Sequence, residues 1–412
     1  MRIWAFPTIY PYKHSGSKSH GIFAHRQYKA LIKSGAELQV VIPILWNPPF
    51  PFYLLHKEWK QYAAMEYPAK RIYDGVTVHH PRISNIKPNR LEKKSYIERY
   101  IESVVTFFKD NNIVLDPAND IFFSQWLPEG ATAQMAAHRL GLKSALLSIG
   151  DDVVVEPYRS EAHRQHFVKA VTEADWNLTV ADYLGRETNK IVGKTLDYDV
   201  VHMGADYNNF KPGTPEEVAQ IKKEYGIPAD KIILLNAGSA IVRKGWIDIF
   251  DALKEIKKTN DNFAIVGVYG GPYDINVAEE AAKRGLADNF IDIGEVVPEK
   301  LNALYKAGDI FCLPSHWEGI AVAVMESMAT GMAVLTTNVC GHPELVTDDV
   351  TGILIPPKRV DLLTEKLRLL ISDAELRQRL GRNAREFMMK EWGSYDDIAV
   401  RLYKLLQDGL KK

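Results

Sequence analysis

The stretch that decides the fold is Leu313-Pro-Ser-His-Trp-Glu-Gly-Ile-Ala-Val-Ala-Val-Met-Glu-Ser-Met-Ala-Thr-Gly-Met-Ala-Val334. A short apolar strand leads into it, and the apolar run from Gly319 to about Thr330 predicts a helix that Gly331 ends. A strand–loop–helix unit of this kind places the free N–H groups of the helix at the carboxyl end of a buried strand. That position favours an anionic or polar ligand.

Two glutamates in this stretch carry the chemistry. Glu318 ends the loop, and Glu326 lies two turns further along the predicted helix. A carboxylate among apolar neighbours such as Val324 and Met328 is costly unless it has a partner. A vicinal diol, such as that of a ribose, is one partner that would justify Glu326. The alternative is two surface glutamates on an ordinary helix.

Apolar strands alternate with amphipathic helices along the whole chain. The predicted strands are Leu38–Ile42, Ile121–Ser124, Ser144–Ser148, Trp176–Val180, Asp199–His202, Ile232–Ala237, Phe263–Tyr269, Phe290–Ile293, Ile310–Leu313 and Ala333–Thr336. The predicted helices include Phe23–Ser34, Glu129–Leu140, Trp246–Lys257, Pro298–Ala307 and Ala321–Ala329. This alternation predicts an α/β fold with parallel sheets covered by helices on both faces.

The length and a single turn-rich segment indicate the domain organisation. A chain of 412 residues is long enough for two or three domains. The segment from Met203 to Pro212 carries a Gly, two Asn and a Pro between two strand–helix arrays. We therefore expect a first domain over residues 1–205 and a second over residues 206–392. Three helical patterns follow Asp361, and the last, Tyr395 to Leu410, has an apolar stripe that needs a partner. We expect this carboxyl-terminal segment, about residues 393–412, to pack back on the first domain.

The composition excludes several classes of protein. Lys and Arg number 51 against 52 Asp and Glu, so the net charge is −1 and no nucleic-acid partner is expected. The two cysteines, Cys312 and Cys340, cannot form a disulfide framework and indicate a cytoplasmic protein. The sequence contains no run of 18 uncharged apolar residues, so no transmembrane helix is expected.

The motif around the two glutamates resembles the signature of family-four retaining glycosyltransferases. Similar resemblances are found in the loop Asn236–Gly245, the run Gly294–Pro298 and the run Gly341–Val346, and more weakly in Gly21-Ile-Phe of the first half. The resemblance implies the GT-B architecture, in which two Rossmann-like domains face each other across a cleft. It also implies that a nucleoside diphosphate sugar, the donor, binds mainly to the second domain.

The resemblance further implies a role for individual residues. Glu326 would hold the ribose hydroxyls, Glu318 would lie near the donor sugar, and Lys244 would neutralise the diphosphate leaving group. The full set expected at the donor is Gly21, Gly238, Lys244, Gly294, Val296, Glu318, Gly319, Ile320, Ala321 and Glu326. The loop from Lys13 to Gly21, including Lys18, either faces the donor phosphates or is simply solvated.

Two departures from the family pattern affect the expected chemistry. Many relatives carry an arginine where this chain has Ser239, and Arg243 either substitutes for it or is an ordinary exposed arginine. Both usual acceptor-side histidines are absent, from Phe123-Ser-Gln-Trp126 and from Ile149-Gly-Asp-Asp152. The residues that either face the acceptor instead or serve the structure are Gln125, Glu129, Asp151 and Asp152, and of these we predict that Asp151 is catalytic, with Lys244, Arg243 and Glu318.

The implied activity is transfer of a sugar to an acceptor hydroxyl with retention of configuration, without a cofactor and without a metal ion. Asp151 and Asp152 are adjacent rather than spaced as Asp-x-Asp, so no metal site is expected there. Exopolysaccharide or envelope glycan assembly is the family's common context and makes a sugar or a lipid-linked acceptor plausible. One alternative is a catalytically inactive sugar-nucleotide-binding protein. An NAD-dependent dehydrogenase is disfavoured because no Gly-x-Gly-x-x-Gly follows the first strand.

One proline-rich segment interrupts the alternation of strands and helices. Aromatic residues from Trp46 to Leu55 precede Lys57 and Lys60, and Lys87, Arg90, Lys93, Lys94 and Arg99 follow later in the chain. Aromatic and basic residues together predict a peripheral membrane contact at the inner face of a membrane. The alternative is a loop that folds onto its own domain. The candidate membrane patch is Phe50, Phe52, Tyr53, Lys57, Trp59 and Lys60.

Overall fold

A computed structural model describes residues 1–12, 21–65, 67–86, 94–125 and 129–411. Lys18, Lys87, Arg90, Lys93 and Trp126, which entered the sequence predictions, lie outside these ranges.

The strands follow one another along the chain with these bounds: β1 Arg2–Pro7, β2 Glu37–Val41, β3 Ile44–Leu45, β4 Lys70–Tyr73, β5 Val76–His79, β6 Arg82–Ile83, β7 Asp120–Gln125, β8 Lys143–Ser148, β9 Trp176–Thr179, β10 Asp199–Val200, β11 Ile232–Ala240, β12 Phe263–Tyr273, β13 Phe290–Gly294, β14 Ile310–Leu313, β15 Ala333–Thr337 and β16 Ile353–Ile355.

The helices have these bounds: α1 Ile22–Lys33, α2 Lys57–Ala64, α3 Tyr96–Asp110, α4 Glu129–Arg139, α5 Asp151–Val154, α6 Glu161–Glu173, α7 Asp182–Val192, α8 Pro215–Glu224, α9 Trp246–Lys257, α10 Val277–Lys283, α11 Pro298–Lys306, α12 Val322–Thr330, α13 His342–Leu345, α14 Val360–Ser372, α15 Ala374–Phe387 and α16 Tyr395–Lys411.

The strands form two large sheets. The first has the order β10-β9-β8-β7-β1-β2-β5-β4, and the second has the order β13-β12-β11-β14-β15-β16. All pairings are parallel except that between β4 and β5. In both sheets the strand order reverses beside the first strand of the domain, which makes each a doubly wound, Rossmann-like sheet. The predicted α/β architecture is confirmed.

The sequence pattern explains why the central strands lie where they do. Strands β7 and β14 are buried along their whole length. A continuous apolar run suits a strand with helices on both faces, whereas a half-exposed strand shows alternation. Strands β11 and β14 pair in parallel at the middle of the second sheet, with Leu234 opposite Ile310. Ten strands of the two sheets coincide with predicted runs, whereas β1, β4, β5 and β16 are not among the predicted strands.

The helix after the glutamate loop begins later than the sequence predicts. It starts at Val322, and Ala321 before it is extended, so Gly319 does not open the helix. The backbone around Gly319 is occupied by other contacts, because its carbonyl accepts a hydrogen bond from the N–H of Gly341 at 3.1 Å. Gly319, Ile320 and Ala321 therefore lie before the helix and not in its first turn.

The segment that connects the two domains lies beside the residues that precede the last helix, α16. Ala205 forms an isolated bridge with Ser394, and the Trp392 indole donates to the carbonyl of Met203 at 2.8 Å. Helix α16 then packs against α1 of the first domain. Near the end of α16 the Lys143 ammonium donates to the carbonyl of Gly409 at 3.1 Å. The carboxyl-terminal helix therefore lies on the first domain although it follows the second.

Candidate active site

The carboxyl ends of the two sheets face each other across a cleft. A side chain on Gly319, which follows β14, would come within 2.2 Å of the carbonyl oxygen of Ile149, which follows β8. A Cβ on Gly341, which follows β15, would lie 3.1 Å from the Cβ of Ala181, which follows β9. The loops that meet across the cleft thus approach at backbone distance, which only glycine allows at Gly319.

A cavity of about 370 Å³ lies in this cleft. It is at the carboxyl ends of β11 and β14, where the strand order of the second sheet reverses, the position at which doubly wound folds bind ligands. Its walls contain Ile22, Arg26, Ala237, Gly238, Ser239, Lys244, Val268, Tyr269, Gly270, Gly271, Glu295, Val296, Leu301, Tyr305, Glu318, Ile320, Ala321, Val322, Ala323 and Glu326. Most of these residues come from the second domain, and Ile22 and Arg26 come from α1 of the first.

Lys244 and Glu318 form an ion pair at one end of the cavity. The Lys244 ammonium contacts Glu318 Oε1, which also accepts a hydrogen bond from Ser315 Oγ at 2.9 Å. Burial favours the neutral form of Glu318, but Lys244, followed by His342 and Arg243, outweighs it, so the pKa of this carboxyl lies below its ordinary value. Glu318 is therefore ionised at neutral pH and remains an acceptor of hydrogen bonds.

The Lys-Gly turn has its shape because of Gly245. This glycine has φ of +75°, and a Cβ there would lie 2.4 Å from the carbonyl oxygen of Pro314. The close approach sets the loop that carries Lys244 against the loop that carries Glu318. The pair is thus positioned by a backbone contact between β11 and β14.

Arg243 points toward the first domain. Its Nη1 lies 3.6 Å from Asp151 Oδ1 and 4.0 Å from Glu318 Oε2, and its guanidinium lies 5.2 Å from the centre of the Trp317 ring. It is therefore not an ordinary exposed loop arginine. It joins the glutamate loop of one domain to the β8–α5 loop of the other.

Glu326 lies at the other end of the cavity in a buried position. Arg26 Nη1 donates to Glu326 Oε1 at 3.3 Å across the cleft. Burial raises the pKa of Glu326 to about 7, although Arg26 acts in the opposite direction. Its carboxyl thus changes ionisation state near neutral pH, which is unusual for a glutamate.

The predicted donor residues fall into two groups. Seven of them line the cavity: Gly238, Lys244, Val296, Glu318, Ile320, Ala321 and Glu326. The other three lie outside its wall. Gly21 precedes α1 with φ of +72°, Gly294 ends β13 with φ of +63°, and Gly319 lies against Ile149. These three glycines shape or space the backbone around the cavity.

The residues predicted on the acceptor side also differ from one another. Gln125 is buried and its amide donates to Gln27 Oε1, so it holds α1 to the sheet. Asp152 is buried and accepts from the N–H groups of Ile149 and Gly150, and burial raises its pKa to about 6. Both therefore serve the structure. Asp151, whose side chain is one-third exposed, is the member of the pair that faces the cleft.

Glu129 begins α4, beyond the carboxyl end of β7. Burial raises the pKa of its carboxyl above the ordinary value. It lines a small apolar cavity of about 240 Å³ with Tyr96, Ile97 and His166, among others. Its side chain thus belongs to the first domain's own packing as well as to the cleft edge.

Sequence reasoning missed two contacts that cross the cleft. One is Arg26, and the other is Glu344, whose two carboxylate oxygens accept hydrogen bonds from the N–H groups of Asp182 and Tyr183, each at 2.8 Å. A carboxylate at a helix N-terminus is stabilised by the helix dipole, here that of α7. Neither residue has a local signal for such a role, because each partner is more than 150 residues away along the chain.

Two general properties bear on the function. Among the described residues, no group of three or more His, Cys, Asp and Glu side chains is arranged to hold a metal ion. In the same part of the chain, no helix has both the length and the apolar character needed to cross a membrane.

The two facing Rossmann-like sheets and the cavity between them define the GT-B architecture. Solved structures share this fold along nearly the whole chain. Sucrose-phosphate synthase from Thermosynechococcus elongatus superposes with a TM-score of 0.77 at 17% identity, covering 99% of each chain. HepE from Anabaena, in complex with UDP, superposes with a TM-score of 0.73 at 14% identity, covering 99% of this chain and 100% of the other.

Sequence comparison places the second domain in a family. Residues 217–387 match the family described as glycosyl transferases group 1. The chain is also 26% identical over 367 residues to the putative teichuronic acid biosynthesis glycosyltransferase TuaC of Bacillus subtilis, a match that covers 89% of this chain and 88% of the relative. The chain therefore has the GT-B fold, and residues 217–387 of its second domain are similar to glycosyl transferases of group 1.

Proposed function

We propose that this enzyme transfers a glycosyl unit from a nucleoside diphosphate sugar to an acceptor hydroxyl, with retention of configuration at the anomeric carbon. One observation carries the proposal. The Lys244–Glu318 pair and Glu326 line a single cavity at the switch point of the second sheet, opposite the first domain.

In this proposal the two glutamates bind the two ends of the donor. The ionised carboxylate of Glu326 accepts hydrogen bonds from the ribose hydroxyls, while Val296 and its neighbours contact the base. Glu318, held in place by Lys244 and Ser315, accepts from a hydroxyl of the donor sugar. HepE, a structural neighbour, has been solved with UDP-glucose, which supports a nucleotide-sugar donor here.

The diphosphate leaving group is stabilised by side-chain cations. An ammonium has three N–H donors, so Lys244 can keep its contact with Glu318 and still reach a phosphate oxygen. Arg243 adds a second positive charge at the same end of the cavity. Preorganised charge of this kind is worth most where negative charge develops during the reaction. The proposal includes no metal ion and no cofactor.

The acceptor enters from the side of the first domain. Its hydroxyl oxygen forms the new bond to the anomeric carbon on the face from which the diphosphate leaves, and the bond from that carbon to the phosphate oxygen breaks. The hydroxyl proton passes to a donor phosphate oxygen. Asp151, beside Arg243 at the cleft, is the residue we assign to orienting the acceptor. Retention follows from the family resemblance of the glutamate motif.

We further propose that the acceptor is a sugar or a lipid-linked intermediate of exopolysaccharide or envelope glycan assembly. Support comes from the relative in Bacillus subtilis, which is described as acting in teichuronic acid biosynthesis.

The lipid-linked acceptor would be met at the inner face of a membrane, through residues 46–60. Phe50, Phe52 and Leu55 of this segment are 72%, 57% and 77% exposed, and Lys57 and Lys60 are exposed beside them. Exposed aromatic and aliphatic side chains with nearby lysines suit the interface of an anionic bilayer. The segment follows β3, beyond the carboxyl end of β2, so it lies on the cleft side of the first domain. Trp59 is the exception within the patch, because its indole donates to the carbonyl of Asn85 and is held inward.

Vesicle binding tests the membrane contact. We expect the protein to bind vesicles containing phosphatidylglycerol, and a Phe50→Ser, Leu55→Ser variant to lose most of this binding while keeping donor hydrolysis. Val114, which is 83% exposed near the amino end of the sheet, supplies the matched control, Val114→Ser. Equal vesicle binding by the wild type, the double variant and Val114→Ser would show that residues 46–60 do not contact the membrane.

A two-stage experiment tests the activity. UDP-, GDP- and ADP-sugars are first screened by thermal shift, because a ligand of the native state raises the melting temperature. The sugar nucleotide that raises the melting temperature is then incubated with the enzyme, without and with sugar acceptors. NMR records its hydrolysis and the anomeric configuration of the product. We expect slow hydrolysis and a retained product. Protection without any turnover would favour the alternative, an inactive sugar-nucleotide-binding protein.

The role of Glu326 is tested within the same assay. Glu326→Ala should mainly raise the KM for the donor, by about tenfold to a hundredfold, because a hydrogen bond to a charged group is worth about 1.5–3 kcal/mol. The ribose does not change during the reaction, so kcat should change little. An unaltered KM for the donor would show that Glu326 does not bind the ribose.

A further inference from the structure

The first domain places one guanidinium into the donor cavity of the second. Arg26 lies on α1, one turn after the helix begins, and its side chain is 22% exposed. Its Nη1 donates to Glu326 Oε1 at 3.3 Å, and its guanidinium carbon lies 5.9 Å from the centre of the Phe210 ring. Arg26 thus lies between the linker and the cavity, where it contacts Glu326.

We propose that Arg26 is a positioning residue of the donor site, which orients the Glu326 carboxylate and favours its ionised form, so that it can accept two hydrogen bonds from a vicinal diol. The proposal deepens the proposed function and rests on it for the identity of the diol. It requires only that the two side chains remain paired, as their geometry shows.

Among the described residues, the other groups that act on the Glu326 carboxyl do not supply positive charge. Tyr305 from α11 and Tyr395 from α16 bring phenol groups, and Asp206 from the linker brings a carboxylate. Asp206 disfavours the ionised form of Glu326, as burial does, while the Tyr305 hydroxyl favours it. Arg26 is therefore the described residue that most strongly counteracts the effect of burial on the pKa of Glu326.

The ionisation state decides what Glu326 can bind. An ionised carboxylate only accepts hydrogen bonds, so it can accept one from each hydroxyl of a diol. A neutral carboxyl carries a proton on one oxygen and donates a hydrogen bond from it. The pKa of Glu326 is about 7, so the two forms are comparable at neutral pH. Loss of Arg26 leaves burial unopposed and raises the pKa of Glu326, which favours the neutral form.

A direct titration of Glu326 tests the pairing without any donor. The carboxyl carbon signals of protein labelled at glutamate are followed by NMR from about pH 5 to 9, and the Glu326 signal is assigned by its absence in Glu326→Gln. We expect a midpoint near 7 in the wild type and a higher midpoint in Arg26→Gln. Arg26→Lys keeps the charge and should titrate close to the wild type. An unchanged midpoint in Arg26→Gln would overturn the proposal.

Donor binding over the same pH range tests the consequence. UDP-glucose and GDP-mannose are suitable probes, because their phosphodiester groups do not titrate in this range. Wild-type affinity should rise through about pH 7 and then level. In Arg26→Gln the rise should move to higher pH. A rise of about one pKa unit lowers the ionised fraction of Glu326 at pH 7 about fivefold, so donor binding should weaken about fivefold there and be restored at high pH. Lys29→Gln, one turn further along α1 where Lys29 pairs with Asp74, is the matched control and should leave the profile unchanged.

The outcomes separate the two proposals. If Arg26→Gln bound the donor more weakly by the same factor at every pH, the role of Arg26 would be merely structural, and the positioning role would be overturned. Undiminished donor binding by Glu326→Gln would overturn the ribose assignment instead, while the NMR titration would still decide the pairing.

Discussion

Replacing Glu344 by alanine should open the cleft between the domains. Both carboxylate oxygens of Glu344 accept hydrogen bonds from the first turn of α7, from the N–H groups of Asp182 and Tyr183, at 2.8 Å each. Glu344 belongs to the second domain and α7 to the first, so this contact exists only when the domains are together. Alanine removes both bonds and leaves each domain's own core unchanged.

The magnitude follows from the two bonds. A hydrogen bond to a charged group contributes about 1.5–3 kcal/mol, and a charge at a helix N-terminus about 0.3–1 kcal/mol. Because Glu344 is partly exposed, solvent replaces some of this energy, and we take about 2–4 kcal/mol as the loss to the closed state. That energy corresponds to a shift of about 30- to 700-fold toward the open state, at 1.4 kcal/mol per tenfold change.

Small-angle scattering without ligand measures the effect. Glu344→Ala should have a larger radius of gyration than the wild type, and its donor affinity should fall, because only the closed fraction binds well. Asp373→Ala is the matched control. Asp373 also accepts from a helix N-terminus, the N–H of Leu376 at 2.9 Å, but within one domain. If both variants kept the wild-type radius and donor affinity, Glu344 would not hold the cleft closed.

Three further predictions concern turnover and stability. Lys244→Ala should lower kcat by roughly 100- to 1000-fold, since losing one preorganised stabiliser of developing charge costs about 2.7–4 kcal/mol, and steady-state kinetics on protein with unchanged secondary structure checks this. Gly245→Ala should lower the free energy of unfolding by about 2 kcal/mol or more, because φ is +75° and the new Cβ would lie 2.4 Å from the carbonyl oxygen of Pro314; a wild-type urea midpoint would contradict the geometry. His79 and His80 have pKa values of about 4 because they are buried, below the ordinary 6.5. Their contribution to stability is therefore complete above about pH 6.5 and is lost as the pH falls toward 4. A His79→Gln, His80→Gln double variant should show a flatter dependence of the unfolding free energy on pH in that window.

Much of the fold follows from local patterns in the sequence. The predicted strand Ile310–Leu313 has the bounds of β14, and the predicted helix Trp246–Lys257 has the bounds of α9. These elements are apolar runs whose period and length are set by their own residues, so no distant partner is needed to recognise them. The short strands β3 and β6 had no such signal, because two-residue strands are defined by their pairing alone.

The position of the glutamate helix shows where local reasoning stops. The residues from Gly319 onward have the composition of a helix, yet the helix begins at Val322. Gly319 and its neighbours are instead held by Ile149 from the other domain and by the N–H of Gly341. No pattern within the stretch indicates these contacts, because both partners lie elsewhere in the chain.

The sequence by itself determined the two glutamates, the Lys-Gly turn and the alternation of strands and helices that indicates an α/β fold. The tertiary structure decided which groups meet across the cleft. It paired Arg26 with Glu326, Arg243 with Asp151, and Glu344 with the first turn of α7. The physical reason is that the identity and spacing of residues fix local conformation and burial, whereas an interaction between charges depends on distance in space. Only the folding of two sheets against each other brings those charges together.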